Sequence, residues 1–464
     1  MAAFNPRKHM KRLLFSFAAA LVSAASFAAV AQSAVRSVPE SVRLRVEVDR
    51  RVLPADQTER AVLKIALDGV RLPRRDLRPP VNLALVIDRS GSMAGEKLAK
   101  AREAALEAVR RLAADDVVSL VVYDDQVETL VPAQRVGDGR RLAQAIGGIE
   151  AGGNTALYGG VVRGASEVRR LLEDRRFVNR VILLSDGLAN VGPSSPEALG
   201  QLGRSLMKEG ISVTTIGLGL GYNEDLMTRL AQRSDGNTYF VEDSGDLPRI
   251  FAAELGDVLN VVARRIVVEV ELPEGVRPVG FVGRDGEISG QKARMSLNQL
   301  YGGQEKFALL EVEVAPGAAG REREIARAQV SFNDAVTGRD ATLTAGRTVT
   351  FSADAADVVS SANHAVQADY AANVLAVAKD EAIALVDANR RAEAAEQLRA
   401  RSAELNQLAV TYGNAEVQQL AAAAAPEAQK LEREGLDNAA RKAYRTDSAQ
   451  TRNQQGSSNS MGQR

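Results

Sequence analysis

Residues 86–93 read VIDRSGSM. The run 81–87 (VNLALVI) is almost continuously apolar, as expected of a strand buried on both faces. It stops at Asp88, and Ser90 and Ser92 follow at alternate positions around Gly91. One carboxylate and two hydroxyls thus lie on one loop, which Gly91 allows to turn tightly. Oxygen donors without nitrogen or sulfur suit a hard cation: Mg2+ foremost, with Mn2+ or Ca2+ as alternatives. The hydroxyls are neutral, so a divalent ion requires more carboxylate from another part of the chain.

From residue 81 to 260, strand-like and helical stretches alternate. After Gly95, Leu98, Ala101, Ala105, Val109 and Leu112 recur at helical spacing. Residues 117–123 (VVSLVVY) read as a strand, and 127–131 follows across a polar turn as a hairpin partner. Further strands are expected at 180–184, 212–218 and 238–241, and helices at 142–149, 157–172, 196–208, 224–232 and 247–259. This alternation predicts an α/β unit, a mostly parallel sheet covered by helices on both faces. In such a sheet ligands gather outside the C-terminal ends of the strands.

Two more loops at that edge carry matching chemistry. Gly152-Gly153-Asn154-Thr155 leads into a helix, and Ser185-Asp186-Gly187 ends the strand RVILL. Singly each piece has an ordinary explanation: Ser92 or Thr155 as a helix cap, Asp186 before Gly187 as a turn. Together they offer two carboxylates and three hydroxyls from three loops: Asp88, Ser90, Ser92, Thr155 and Asp186.

These three segments resemble the metal-ion-dependent adhesion site of von Willebrand factor A domains, with all five motif positions present over residues 81–260. The resemblance implies a Rossmann-like fold. It also implies that Ser90 and Ser92 bind Mg2+ directly, and that Asp88, Thr155 and Asp186 bind it directly or through water. One coordination position would be left for an Asp or Glu carboxylate of a protein partner. More loosely, the whole layout is similar to secreted bacterial proteins related to inter-α-trypsin inhibitor heavy chains and calcium-activated chloride channel regulators. Arg89 fills the variable position of the motif. A divalent ion would repel it, so it is expected to point outward, either solvated or toward an acidic ligand.

The flanks differ from the α/β unit. Residues 42–48 (VRLRVEV) alternate with strand period, and 62–67 is a short, mostly apolar run. Strand-like segments return at 266–272, 306–314, 326–333 and 341–351, separated by Gly, Pro and Asp turns. The economical architecture is one β-sandwich built from residues 32–80 and 261–352, with the α/β domain (81–260) inserted into it. Alternatively, 42–67 packs on the α/β domain. Residues 357–445 are helical again, with breaks near 387–389 and 412–414 that predict about three helices. They form either a small bundle, free or docked on the sandwich, or an amphipathic arm for a partner. Residues 446–464, rich in Ser, Gln, Asn and Gly, are expected to be disordered.

At the other end, Arg7, Lys8, Lys11 and Arg12 precede an apolar stretch at 13–29 and an A-x-A site at Ala29-Val30-Ala31. This predicts a secretory signal peptide over residues 1–31, the alternative being a retained membrane anchor. The mature protein is then periplasmic or secreted. The chain carries 59 basic and 59 acidic residues, and the signal holds four basic residues and no acid, so the mature charge is 55 − 59 = −4. That is no footprint for nucleic acid.

Cysteine is absent, which excludes disulfides, thiolate nucleophiles and thiolate metal sites. The two histidines are His9, within the signal, and His364, in an Ala-rich helical stretch, so HExxH chemistry is impossible. Residues 91–97 (GSMAGEK) lack the spacing of a phosphate loop, and 217–222 (GLGLGY) lacks the last glycine of a dinucleotide fingerprint. Asp115 and Asp116, between a helix and a strand, read as a solvated turn.

Three functions compete. The first is a non-enzymatic, metal-dependent protein-binding module outside the cytoplasm. The second is an assembly subunit for an ATPase, as in metal chelatases, which the signal peptide opposes. The third is a hydrolase using the ion to activate water, for which no base is evident.

Overall fold

The structure is a computed structural model and describes residues 41–71 and 78–455. The expected signal peptide lies outside these residues. Among the described residues, no helix is long and apolar enough to cross a membrane.

The α/β domain is a six-stranded sheet in the order β6-β5-β4-β7-β8-β9, comprising β4 (Val81–Asp88), β5 (Val117–Tyr123), β6 (Val127–Arg135), β7 (Val178–Ser185), β8 (Ile211–Leu218) and β9 (Thr238–Val241). All neighbours are parallel except β5 and β6, which form the expected hairpin. The strand pleat sends alternate side chains of β4 to opposite faces. Leu83, Leu85 and Ile87 enter one core with α1 (Glu96–Arg111), α2 (Arg140–Gly147) and α6 (Leu247–Val258). Ala84 and Val86 enter the other with α3 (Leu157–Arg169), α4 (Pro196–Lys208) and α5 (Glu224–Arg233). Both faces are covered, which is why this strand reads as an unbroken apolar run. Helix α3 lies close on the sheet: a Cβ at Gly160 would stand 2.7 Å from Tyr123, and one at Gly164 2.4 Å from Val86.

Both flanks contribute to a sandwich. One sheet has the order β1-β3-β14-β11: β1 (Val42–Val48), β3 (Glu59–Gly69), β14 (Glu305–Val314) and β11 (Val276–Val282). The other runs β12-β13-β10-β15-β16-β2: β12 (Glu287–Ser289), β13 (Lys292–Tyr301), β10 (Val261–Glu271), β15 (Glu322–Asp334), β16 (Asp340–Ser352) and β2 (Val52–Pro54). Residues of both sheets share one core, among them Leu63, Ile65, Val268, Leu310, Val330 and Phe351. The α/β domain is inserted between β3 and β10.

Polar contacts bind the two parts. Arg180 on β7 is fully buried, donates to Thr214 Oγ1 (3.0 Å), Gln299 Oε1 (2.7 Å) and the Tyr301 hydroxyl, and lies 3.6 Å from Glu254. Asp235, just after α5, accepts from Lys306 Nζ (2.9 and 3.0 Å), Arg284 Nη1 (3.0 Å) and the Asn298 backbone N–H (2.7 Å).

The helical region holds α7 (Ala355–Ser360), α8 (His364–Asp387), α9 (Arg391–Tyr412), α10 (Ala415–Glu434) and α11 (Asn438–Arg452). Helices α8, α9 and α10 share a core of Ala371, Leu375, Leu398, Leu405, Val417 and Ala424. The bundle docks on the sandwich, where Lys64 Nζ lies 2.6 Å from Asp369. The expectation of disorder from Thr446 is overturned up to Gln455. Helix α11 runs to Arg452, packs on α8, where Ser448 Oγ donates to the Ala376 carbonyl (2.8 Å), and returns to the α/β domain, with Gln450 Nε2 donating to the Thr238 carbonyl (3.0 Å) and the following Asn453 Nδ2 to the Gly236 carbonyl (3.1 Å). Polar contacts hold residues 446–452, where Ala449 is the one buried apolar side chain, so this end of the helix lacks an apolar pattern.

Candidate metal centre

Strand β4 ends at Asp88 and its neighbour β7 at Ser185; Ile87 pairs with Leu184, so both ends stand level. The chain crosses from β4 to β5 on one side, while β7 lies on the other. This is the switch point of the sheet, where loops diverge and leave a crevice.

Asp88 is fully buried. Its carboxylate accepts from the Ser90 backbone N–H (2.8 Å) and from Ser185 Oγ (2.6 Å). Burial pushes its carboxyl above the usual range, the donors from Ser185 and Ser90 oppose the rise, and the charge of Asp186 adds to it. Ser92 Oγ donates to Asp186 Oδ1 (2.7 Å) and lies 3.1 Å from Ser90 Oγ. Lys97, in the first turn of α1, places Nζ 2.5 Å from Asp186 Oδ2.

Thr155 arrives on the loop before α3. Its backbone N–H donates to Asn190 Oδ1 (2.8 Å), and its carbonyl accepts from the N–H groups of Asn190 (3.2 Å) and Val191 (3.3 Å). The Gly152 N–H bonds the Arg89 carbonyl (2.8 Å), and the Gly91 N–H bonds the Gly153 carbonyl (3.1 Å), so the loops are tied by backbone. A Cβ at Gly187 would stand 3.0 Å from Thr155 Oγ1 and 3.5 Å from Ser92 Oγ. Glycine there leaves room where the hydroxyls converge. The five residues singled out in the sequence are therefore gathered at one sheet edge.

This donor set fits a hard cation: two carboxylates and three hydroxyls, with no nitrogen or sulfur donor. Among the described residues, no group of three or more His, Cys, Asp or Glu could hold a metal ion, so any such centre relies on the hydroxyls.

The family model of the von Willebrand factor type A domain matches residues 82–253. This part of the chain is a von Willebrand factor type A domain. The chain is 28% identical over 314 residues to the uncharacterized protein sll0103 of Synechocystis, an alignment covering 63% of this chain and 73% of that one. It is 24% identical over 239 residues to YfbK of Escherichia coli (51% and 41%), and 30% identical over 205 residues to inter-alpha-trypsin inhibitor heavy chain H3 of Pongo abelii (42% and 23%). The last two matches thus span less than half of those proteins. In fold it is similar to a von Willebrand factor type A protein from Catenulispora acidiphila (TM-score 0.62, 18% identity, 84% of this chain and 95% of that one). It is also similar to the ArnB paralog VWA2 from Sulfolobus acidocaldarius (TM-score 0.57, 16% identity, 89% and 98%).

Two side chains of the A domain depart from expectation. Arg89 is half-buried and is not free. It pairs with Asp124 (2.9 Å) and Glu128 (3.2 Å) on the β5–β6 hairpin. Asp116 is fully buried and no solvated turn: it accepts from Arg78 (2.6 and 2.9 Å) and from the backbone N–H groups of Val81 (2.8 Å) and Ala113 (2.7 Å), fixing the start of β4. Three contributors were missed: Ser185, Lys97 and Asn190. Ser185 had a signal, since it lies on the same strand end as Asp186. Lys97 and Asn190 had none, because their partners are distant in sequence.

Proposed function

We propose that the A domain is a non-enzymatic, divalent-cation-dependent protein-binding module of the cell envelope. The carrying observation is that Ser92 and Thr155 meet at the space beside Gly187, with Ser90 and Asp186 bonded or adjacent to Ser92 and Asp88 bonded to the Ser90 N–H and Ser185. Mg2+, or Mn2+ or Ca2+ in its place, would be held by these oxygens. When bound, the ion supplies a positive centre that an Asp or Glu of a partner protein completes. Surrounding loops set the choice of partner. The positive n-region and A-x-A site of residues 1–31 support export.

The residues give little support to hydrolysis. His364 Nε2 lies 2.9 Å from the Tyr412 carbonyl in the helical bundle, so no imidazole of the described residues serves the serines. Nothing at the site favours assembly with an ATPase.

The test is capture from envelope extract on immobilised protein, in Mg2+ and in EDTA, with wild-type and Asp186→Ala baits. Proteins held in Mg2+, released by EDTA and missed by the variant support the proposal. Equal retention under all conditions overturns it.

A further inference from the structure

A second charged region lies away from the metal centre. A cavity of about 310 Å3 opens where α4 and α5 of the A domain meet the β11–β12 connection, β13 and the end of α11. It is lined by six arginines: Arg204, Arg229, Arg233, Arg284, Arg294 and Arg452. Three carboxylates face them. Asp235 is committed to Lys306 and Arg284, and Asp285 and Glu287 sit exposed on the rim. Among the lining residues, cations thus outnumber anions six to three.

The pairing is uneven. Arg284 bonds Asp235 and the Asn453 carbonyl, and Arg452 bonds Asp380 and the Gly283 carbonyl. Arg294 reaches Glu269 at 3.6 Å, and Arg233 reaches Asp285 on the rim. Arg204 and Arg229 have no ion pair or hydrogen bond among the described residues. Burial, then the charges of Arg229, Arg204 and Arg452, lowers the pKa of Arg233, a sign that these guanidiniums crowd one another.

Arginines near the ends of α4 and α5 would offset the helix dipoles on their own. That accounts for the charges, but not for a cavity of ligand size or for two guanidiniums beside it without a partner among the described residues. Guanidinium forks match tetrahedral oxyanions.

We propose that this cavity is an anion site for a phosphate or sulfate group carried on a small molecule, with Arg204, Arg229 and Arg233 as its donors. Its volume exceeds what the oxyanion alone fills, leaving room for the body of an ester. The site is independent of the divalent ion, and its ligand would bridge the A domain, the sandwich and the terminal helix.

Calorimetric melting of the full chain in EDTA, with millimolar pyrophosphate or inorganic sulfate against sodium chloride of equal ionic strength, tests this. A specific rise in Tm of about 3 °C or more is expected with at least one anion, and the stronger of the two names the head group. Arg204→Gln with Arg229→Gln should abolish the rise. Should that variant melt poorly, Arg204→Lys with Arg229→Lys keeps the charge but loses the forks, and should weaken binding about fivefold or more by titration calorimetry. No rise beyond the chloride control overturns the proposal, as does a rise or an affinity that both variants retain.

Discussion

At the seam between the A domain and the sandwich, one carboxylate holds two cations; at the end of β4, two carboxylates share one. Asp235 is bonded by Lys306, Arg284 and a backbone N–H, and these cations pull its pKa down to about 2 against the effect of burial. Asp88 is as deeply buried, yet only neutral donors reach it, and its pKa is raised. Among the described residues, Lys97 is the one cation bonded to either acid, and it bonds Asp186. The first acid is satisfied within the chain, as a structural clamp must be. The second pair is short of positive charge, as a group kept for an incoming cation would be.

The comparison breaks most visibly at the clamp. Asp235→Ala leaves Lys306 and Arg284 without their carboxylate, and Lys306 is almost wholly buried. Removing one partner of such a pair costs about 3–5 kcal/mol. Urea unfolding at pH 7 should register a loss of that order. A loss below about 1 kcal/mol would show that the clamp contributes little.

How much of this was legible in sequence follows from what buries each segment. Strands β4 and β7 are covered on both faces by apolar helices, so VNLALVI and RVILL announce themselves, and the polar residues that end them stand out as a site. Strand β13 was not foreseen, because Asn298 and Gln299 face the A domain and are buried by hydrogen bonds to Ser212, Arg180 and the Asn179 carbonyl. Strand β11 was hidden by Pro278 and Gly280, which sit at a register shift against β14. The last turns of α11, residues 446–452, escaped for the same reason as β13: Ser448, Gln450 and Arg452 hold them by polar contacts. Apolar periodicity reveals what dispersion and burial stabilise, and is silent on what polar pairing stabilises.

A third acid lies between the extremes. Asp257 Oδ2 is buried with no hydrogen-bond partner, and burial, then the charge of Glu254, raises the pKa of Asp257 to about 7. Its folded pKa thus exceeds the unfolded value of 3.8. The stability it contributes is complete below about pH 4 and is lost as pH rises through about 7, because the unfolded chain ionises first. Asp257→Asn removes that loss. The variant should match wild type near pH 3 and exceed it by up to about 4 kcal/mol at pH 8 in urea unfolding. An equal difference at both pH values would place the effect in packing and not in charge.

The smallest effect is expected where the charge deficit is proposed to be functional. Asp88→Asn keeps the shape of the side chain and an oxygen acceptor for the Ser90 N–H, while removing one of two like charges from the edge. In EDTA the variant should therefore lose nothing and gain up to about 1 kcal/mol, the opposite sign to Asp235→Ala. In Mg2+ the order reverses: wild type gains stability with ion concentration as any binding equilibrium requires, and the variant does not. Thermal melts with and without Mg2+ read both effects. If Asp88→Asn destabilises the metal-free protein by as much as Asp235→Ala does, the two acids are equivalent clamps, and the edge of β4 is not held in reserve for a cation.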